Sequence, residues 1–155
     1  MDITYRKAAI SDIGLLTKTR IEVLRAANRL PDDTDMADVE KQSRAYYETA
    51  LRDGTHTAYL AFDGDRWVGA GGISYYRVMP TYHNPSGNKA YIMNMYTRPE
   101  YRRLGIASRT LDLLVEDARS KQISFISLEA TAMGRPLYEK YGFVPMNDEM
   151  ILPDT

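Results

Sequence analysis

The residues best suited to chemistry lie in the run Thr97-Arg98-Pro99-Glu100-Tyr101-Arg102-Arg103-Leu104-Gly105-Ile106-Ala107. An apolar, strand-like segment ends there, a short basic loop with one glycine follows, and a helix-like pattern begins. The first N–H groups of a helix have no partners inside it, and the helix dipole adds partial positive charge at that end. Such a loop suits an anion, phosphate or pyrophosphate. Gly105 lets the backbone come close to a ligand, Ala107 keeps the helix start narrow, and Arg102 and Arg103 bring mobile positive charge. The same residues also read as an ordinary helix start with solvated arginines. Further along stands a second compact pattern, Leu137-Tyr138-Glu139-Lys140-Tyr141-Gly142-Phe143. Metal chemistry has little to work with. His56 and His83 are the only histidines and lack a ligand spacing, so no metal is expected.

Elements on either side must hold these residues in place. Ile3 to Ala8 alternates weakly as a first strand. Ser11-Asp12 then offers a cap before Ile13, Leu16, Ile21, Leu24 and Ala27, which recur at helical spacing. After the break at Pro31-Asp32-Asp33 a second helix is expected from about Met36 to Leu51. Thr57 to Phe62 and Trp67 to Tyr76 read as a hairpin about the turn residues Asp63-Gly64-Asp65. Tyr82 to Asn88 is a loop by composition, and Ala90 to Thr97 a buried strand stopped by Pro99. A helix from Ile106 to about Gln122 shows one apolar face at Ile106, Leu111, Leu114, Val115 and Ala118. Ile123 to Leu128 is a strand, Pro136 to Tyr141 a short helix, and Phe143 to Leu152 a broken strand or hairpin. The order β-α-α-β-β-β-α-β-α-β predicts an α+β fold, a mixed sheet with helices on its faces.

Composition narrows the function classes. With 20 Lys and Arg against 21 Asp and Glu, the net charge of −1 gives no concentrated basic face, so no nucleic-acid partner is expected. The absence of cysteine excludes disulfides, thiolate zinc sites and a cysteine nucleophile. The start Met1-Asp2-Ile3-Thr4-Tyr5-Arg6-Lys7 carries no secretory pattern, and no apolar run reaches the roughly 20 residues of a membrane span. A cytoplasmic protein with no membrane partner is expected, as a single domain over residues 1–155. No repeat or linker divides it.

Taken together, the two patterns point to a family. Arg102-x-x-Gly105-x-Ala107 resembles the acetyl-CoA pyrophosphate loop of the GNAT superfamily of N-acetyltransferases, and Leu137-Tyr138-x-x-x-Gly142-Phe143 resembles its later helix-to-strand signature. The likeness runs from about Ala90 to Val144. It implies a mostly antiparallel central sheet whose fourth and fifth strands splay to hold the pantetheine arm of acetyl-CoA, with the strand near Ala90 to Thr97 beside that near Ile123 to Leu128. Met95, Tyr96 and Thr97 would offer backbone to pantetheine. Arg102, Arg103, Leu104, Gly105, Ile106, Ala107 and Ser108 would cradle the diphosphate. Tyr138 would be the general acid. Many members carry Gly where Arg103 stands and Asn where Thr131 stands.

That resemblance implies N-acetylation of a primary amine, on a small molecule or a protein, by direct attack on the thioester. A primary amine with a pKa near about 10 must lose a proton before attack, and a departing thiolate near about 8.5 must gain one. A phenol near about 10 stays protonated at neutral pH and can donate to that sulfur. For the base the sequence offers Glu129 at the end of the fifth strand, with Glu22 and the acids of Asp32 to Glu40 as alternatives. The run Asp32 to Glu40 reads first as helix-cap chemistry with a solvated turn, and otherwise as an anionic rim for a cationic amine. Tyr75-Tyr76 and Tyr82-His83-Asn84 either line an acceptor pocket or pack structurally. A homodimer is compatible with the sequence. The competing function is a non-catalytic acyl-CoA sensor built on the same cleft.

Overall fold

A computed structural model describes residues 2–154. Its elements run β1 (Ile3–Lys7), α1 (Ile13–Asn28), α2 (Ala37–Asp53), β2 (His56–Asp63), β3 (Arg66–Arg77), β4 (Asn88–Thr97), α3 (Ile106–Ser120), β5 (Ile126–Leu128) and α4 (Arg135–Tyr141). Single 3-10 turns at Ile10–Asp12 and Pro99–Tyr101 lead into α1 and toward α3. The five strands stand in chain order, β1-β2-β3-β4-β5. Neighbours from β1 to β4 are antiparallel, and β5 joins β4 in parallel. The chain is thus an α+β mixed sheet with helices on both faces, as its element order implied.

Strand alternation divides the core between the two faces. Leu60 and Ala70 turn toward α1 and α2, where Leu16, Val23, Tyr47 and Trp67 pack. Ala61 and Val68 turn the other way, toward Ile106 at the start of α3. Further along that face Ile73, Ala90 and Ile92 meet Leu111, Leu114 and Val115, the apolar stripe expected of α3. Helix and sheet approach closely here. A Cβ at Gly71 would lie 2.6 Å from Thr110 Cγ2 and 3.0 Å from Leu114 Cδ1, so only glycine fits beneath α3.

Three sequence expectations are corrected. The buried residues of α1 are Leu16, Thr17, Thr19 and Val23, whereas Ala27 is exposed. Two threonines can be buried because their hydroxyls donate to the Ile13 and Leu15 carbonyls at 2.8 and 2.9 Å. Only Ile126–Leu128 of the expected Ile123 to Leu128 strand forms a ladder; the Ile123 N–H is still tied back to the end of α3, on the Ala118 carbonyl at 3.0 Å. Phe143 to Leu152 forms neither strand nor hairpin, and Val144, Met150, Ile151 and Leu152 are exposed. A strand exists only against a partner edge, and no strand runs alongside this segment.

Two irregularities mark β4. The register with β3 moves from Ala70↔Tyr96 to Gly72↔Met93, which sets Asn94 and Met95 opposite one residue of β3. This is a bulge, and Asn94 takes φ +60° in it. On its other side β4 pairs with β5 only at Ala90↔Ile126, Tyr91↔Ser127 and Ile92↔Leu128. Beyond Ile92 the two strands part, and β4 runs on to Thr97 with that edge unpaired.

Candidate active site

The loop between β4 and α3 is a row of free donors. Arg103 and Gly105 adopt positive φ, +64° and +83°, which swings the backbone round before the helix. Gly105 caps α3 with no side-chain hydrogen bond. Among the described residues, the N–H groups from Arg103 to Ser108 have no acceptor. The first one engaged is that of Arg109, to the Gly105 carbonyl at 3.0 Å. A Cβ at Gly105 would meet no protein atom within 4 Å, so the space in front of the loop is open. Arg102 is exposed and its Nε donates to the Thr97 carbonyl at 3.1 Å, tying the loop to the end of β4. Arg103, Leu104 and Ser108 are also exposed, Ala107 is half-buried, and Ile106 anchors the helix in the core. Free N–H groups at a helix start with nearby guanidinium groups match the chemistry of a diphosphate.

A groove of about 690 Å³ runs beside β5 and α4, and Tyr138 lines it together with Leu128, Ala130 and Phe143. The Tyr138 ring is only 8% exposed and packs edge-to-face on Phe143, with centroids 6.1 Å apart. Burial raises the phenol above its ordinary range, so it is protonated at neutral pH. Its hydroxyl makes no hydrogen bond to another described residue and remains free to donate. Pro136 in the first turn and Gly142 at φ +124° delimit the helix that carries it. Thr131, where many family members carry asparagine, accepts a hydrogen bond from the Gly134 N–H at 3.1 Å and from there holds the start of α4.

The candidate bases fall in different surroundings. Glu129 is exposed just past β5, against Tyr91, whose phenol is raised first by burial and then by the Glu129 charge. Glu22 on α1 is held by Arg98 in a two-pronged ion pair, 3.0 and 3.1 Å. In the acidic run, Asp35 accepts from the Ala37 N–H at 2.9 Å and Asp38 and Glu40 sit in the first turn of α2. That is helix-cap chemistry. Tyr75 donates to Asp117 at 2.5 Å and belongs to a structural network. Tyr82 and His83 stack edge-to-face on an exposed loop and line neither cavity.

The sheet's other face has a second cavity, of about 260 Å³, between α1, α2 and the β4 bulge. Arg20, Tyr46, His56, Ser74 and Asn94 line it. The Arg20 guanidinium donates to Asn94 Oδ1 at 2.9 Å. The Tyr46 hydroxyl lies 2.8 Å from His56 Nδ1 and 2.7 Å from Ser74 Oγ. No cluster of His, Asp and Glu with the makings of a metal site occurs among the described residues.

Comparison with known proteins decides what this architecture is. The model of the acetyltransferase (GNAT) family matches residues 22–143. The chain belongs to that family. Among solved structures, it resembles a predicted acetyltransferase with acetyl-CoA from Clostridium acetobutylicum at 34% identity and a TM-score of 0.89, over 98% of this chain and 96% of that one. It resembles a GCN5-related N-acetyltransferase from Ralstonia eutropha JMP134 at 26% identity and a TM-score of 0.85, over 99% of each chain. Among curated sequences nothing matches. As a GNAT acetyltransferase the chain uses acetyl-CoA, and the open donor loop fits that cosubstrate's diphosphate.

In this GNAT acetyltransferase the sequence patterns single out the loop and Tyr138 as candidates and give no sign of the second cavity. Arg20 and Asn94 are joined only by folding, and each alone resembles a surface residue. One local signal was available. Asn94 interrupts the apolar strand between Met93 and Met95, and asparagine is among the few residues that tolerate positive φ.

Proposed function

We propose that this acetyltransferase acylates a primary amine by direct attack on the thioester, with Tyr138 as general acid. The observation that carries the reading is the Tyr138 hydroxyl itself: protonated, unpartnered among the described residues and on the wall of the groove beside β5 and α4. Backbone N–H groups of Arg103 to Ser108, with the Arg102 and Arg103 side chains, would hold the diphosphate. The unpaired edge of β4 at Met95, Tyr96 and Thr97 would take the pantetheine amides as an added strand does. The bound cosubstrate supplies an activated acetyl thioester. Glu129, directly or through a water, takes the proton from the amine. As the C–N bond forms and the C–S bond breaks, Tyr138 gives its proton to the departing sulfur, and solvent restores it.

Tyr138→Phe tests this, because it keeps the ring and the Phe143 contact and removes only the proton. With an amine that the wild type uses, kcat should fall about 10²-fold or more while the Kd for acetyl-CoA stays within a fewfold. Equal kcat values, with acetyl transfer shown to be the slow step, would withdraw Tyr138. Glu129→Gln in the same assay should lose activity at neutral pH and recover part of it as the free amine fraction rises. A sensor that binds acyl-CoA without catalysis would show no acceptor-dependent thiol release in the wild type.

We also propose a homodimer in which residues 147–152 of one copy lie along the free edge of β5 in the other. The exposed Met150, Ile151 and Leu152 supply apolar surface for that contact. Arg119 and Arg135 line that groove beside the chain's own Glu149, and would meet the charges of Asp148 and Glu149 in the donated segment.

A further inference from the structure

The cavity between α1, α2 and the β4 bulge has one formal charge and no acid to balance it. Arg20 is its only charged lining residue, and the guanidinium makes no salt bridge among the described residues. One of its five N–H donors is used, on the neutral Asn94 Oδ1 at 2.9 Å. Around it stand neutral hydrogen-bonding groups: Gln42, Ser43, and the Tyr46 and Ser74 hydroxyls. His56 adds no charge, since burial and then the Arg20 charge lower it to about 4. A partly buried cation of this kind is costly unless an anion meets it, and planar guanidinium recognises carboxylate or phosphate with paired hydrogen bonds.

The cavity's position links it to acyl transfer. Met93 and Asn94 line it, directly after Ile92, where β4 and β5 part, and directly before Met95 to Thr97. An acceptor lodged there would lie against the β4 residues that directly follow the last β4–β5 pair. Its nitrogen is cationic before it loses its proton, and a second cation beside it repels it unless the acceptor itself supplies an anion. At about 260 Å³ the space lies below the roughly 300–1,000 Å³ that drug-sized ligands fill.

We propose that the acceptor is a small amine that also bears an anionic group, and that Arg20, positioned by Asn94, binds that group in this cavity. The inference rests on the acetyltransfer reading above and narrows it. An amino-acid carboxylate and the phosphate of a phosphorylated amine share this chemistry.

Matched pairs distinguish the two. Free amino acids would be assayed beside their carboxamides, and phosphoethanolamine beside ethanolamine, by thiol release from acetyl-CoA. The anionic member of at least one pair should be preferred tenfold or more in kcat/KM, and the pair that shows it names carboxylate or phosphate. Arg20→Gln should abolish the preference mainly through KM, with the Kd for acetyl-CoA unchanged. Arg20→Lys, which keeps the charge and loses the fork, should retain part of it. Calorimetric titration of the same compounds into the CoA-bound protein reads the cavity without turnover. Equal use of neutral and anionic members, or a preference that survives Arg20→Gln in a folded protein, overturns the proposal and leaves acetyltransfer standing. Binding of anionic amines that depends on Arg20, without turnover of any amine, supports the cavity and faults the Tyr138 chemistry instead.

Discussion

Two buried titratable side chains make stability depend on pH in separate windows. His56 is held at about 4, below its ordinary 6.5, by burial and by the neighbouring Arg20 charge. The unfolded chain therefore binds a proton that the folded one refuses between those values. Stability is full above about pH 6.5 and falls as the pH drops toward 4, by up to about 3 kcal/mol. Asp117 acts lower. Burial alone would raise its carboxyl, but hydrogen bonds from Tyr75, Lys7, Thr57 and Lys121 bring it down to about 2. Its contribution, about 2 kcal/mol, is present above pH 3.8 and is lost as the pH falls to 2. Urea unfolding from pH 8 to 4 should show the first decline in the wild type and a much flatter profile in His56→Gln. A wild-type profile without slope over that range would remove the buried neutral histidine. None of this was legible in the sequence, because burial and partners brought in from distant segments cause the shifts. The pattern that makes Tyr138 a candidate is local, a fixed spacing to Gly142-Phe143, whereas Arg20 and Asn94 meet only once α1 is laid on the bulge of β4.

At the scale of elements, the proposed diphosphate site is the junction of β4 and α3, where backbone N–H groups rather than side chains are left free. The junction was readable in advance: an apolar strand, a proline stop, one glycine and an amphipathic helix are all local signals. The bulge in β4 and the three-residue length of β5 were not, since both depend on how neighbouring strands pair. Gly105 carries the sharpest prediction at this scale. An added methyl would project into the open space before the free N–H groups, so Gly105→Ala should weaken acetyl-CoA binding tenfold or more, about 1.4 kcal/mol. The substitution also strains a backbone at φ +83°, which costs about 1 kcal/mol of stability whatever the ligand. Gly54, the C-cap of α2, separates the two effects, because it has φ +80° and equally open space but lies outside the loop. Gly54→Ala should lower Tm comparably and leave the Kd for acetyl-CoA unchanged. Calorimetric titration giving both variants the wild-type affinity would remove the diphosphate from this loop.

Across the whole molecule, the one element the sequence pattern promised and the fold lacks is a strand after Phe143. The pattern was real. Met150, Ile151 and Leu152 are 98%, 88% and 93% exposed, which is unusual for three consecutive apolar residues. One edge of β5 is likewise without a neighbour. A segment with strand chemistry and a strand edge without a partner are complementary, and two copies related by a two-fold axis could each donate what the other lacks. The groove beside that edge includes Tyr138, so the donated segment would also border the proposed catalytic phenol. The chain should therefore sediment as a dimer at micromolar concentration. Truncation after Met146 should give a monomer with reduced Tm. Charge reversal by Arg119→Glu with Arg135→Glu should weaken the dimer, and adding Asp148→Lys with Glu149→Lys should restore it. Loss of the dimer in the truncated chain is the decisive reading, because Glu149 lines the same groove as Arg119 and Arg135 within one copy and a charge exchange restores that contact too. A wild type that is monomeric throughout, or a truncated chain that still dimerises, would assign the exposed segment to some other contact.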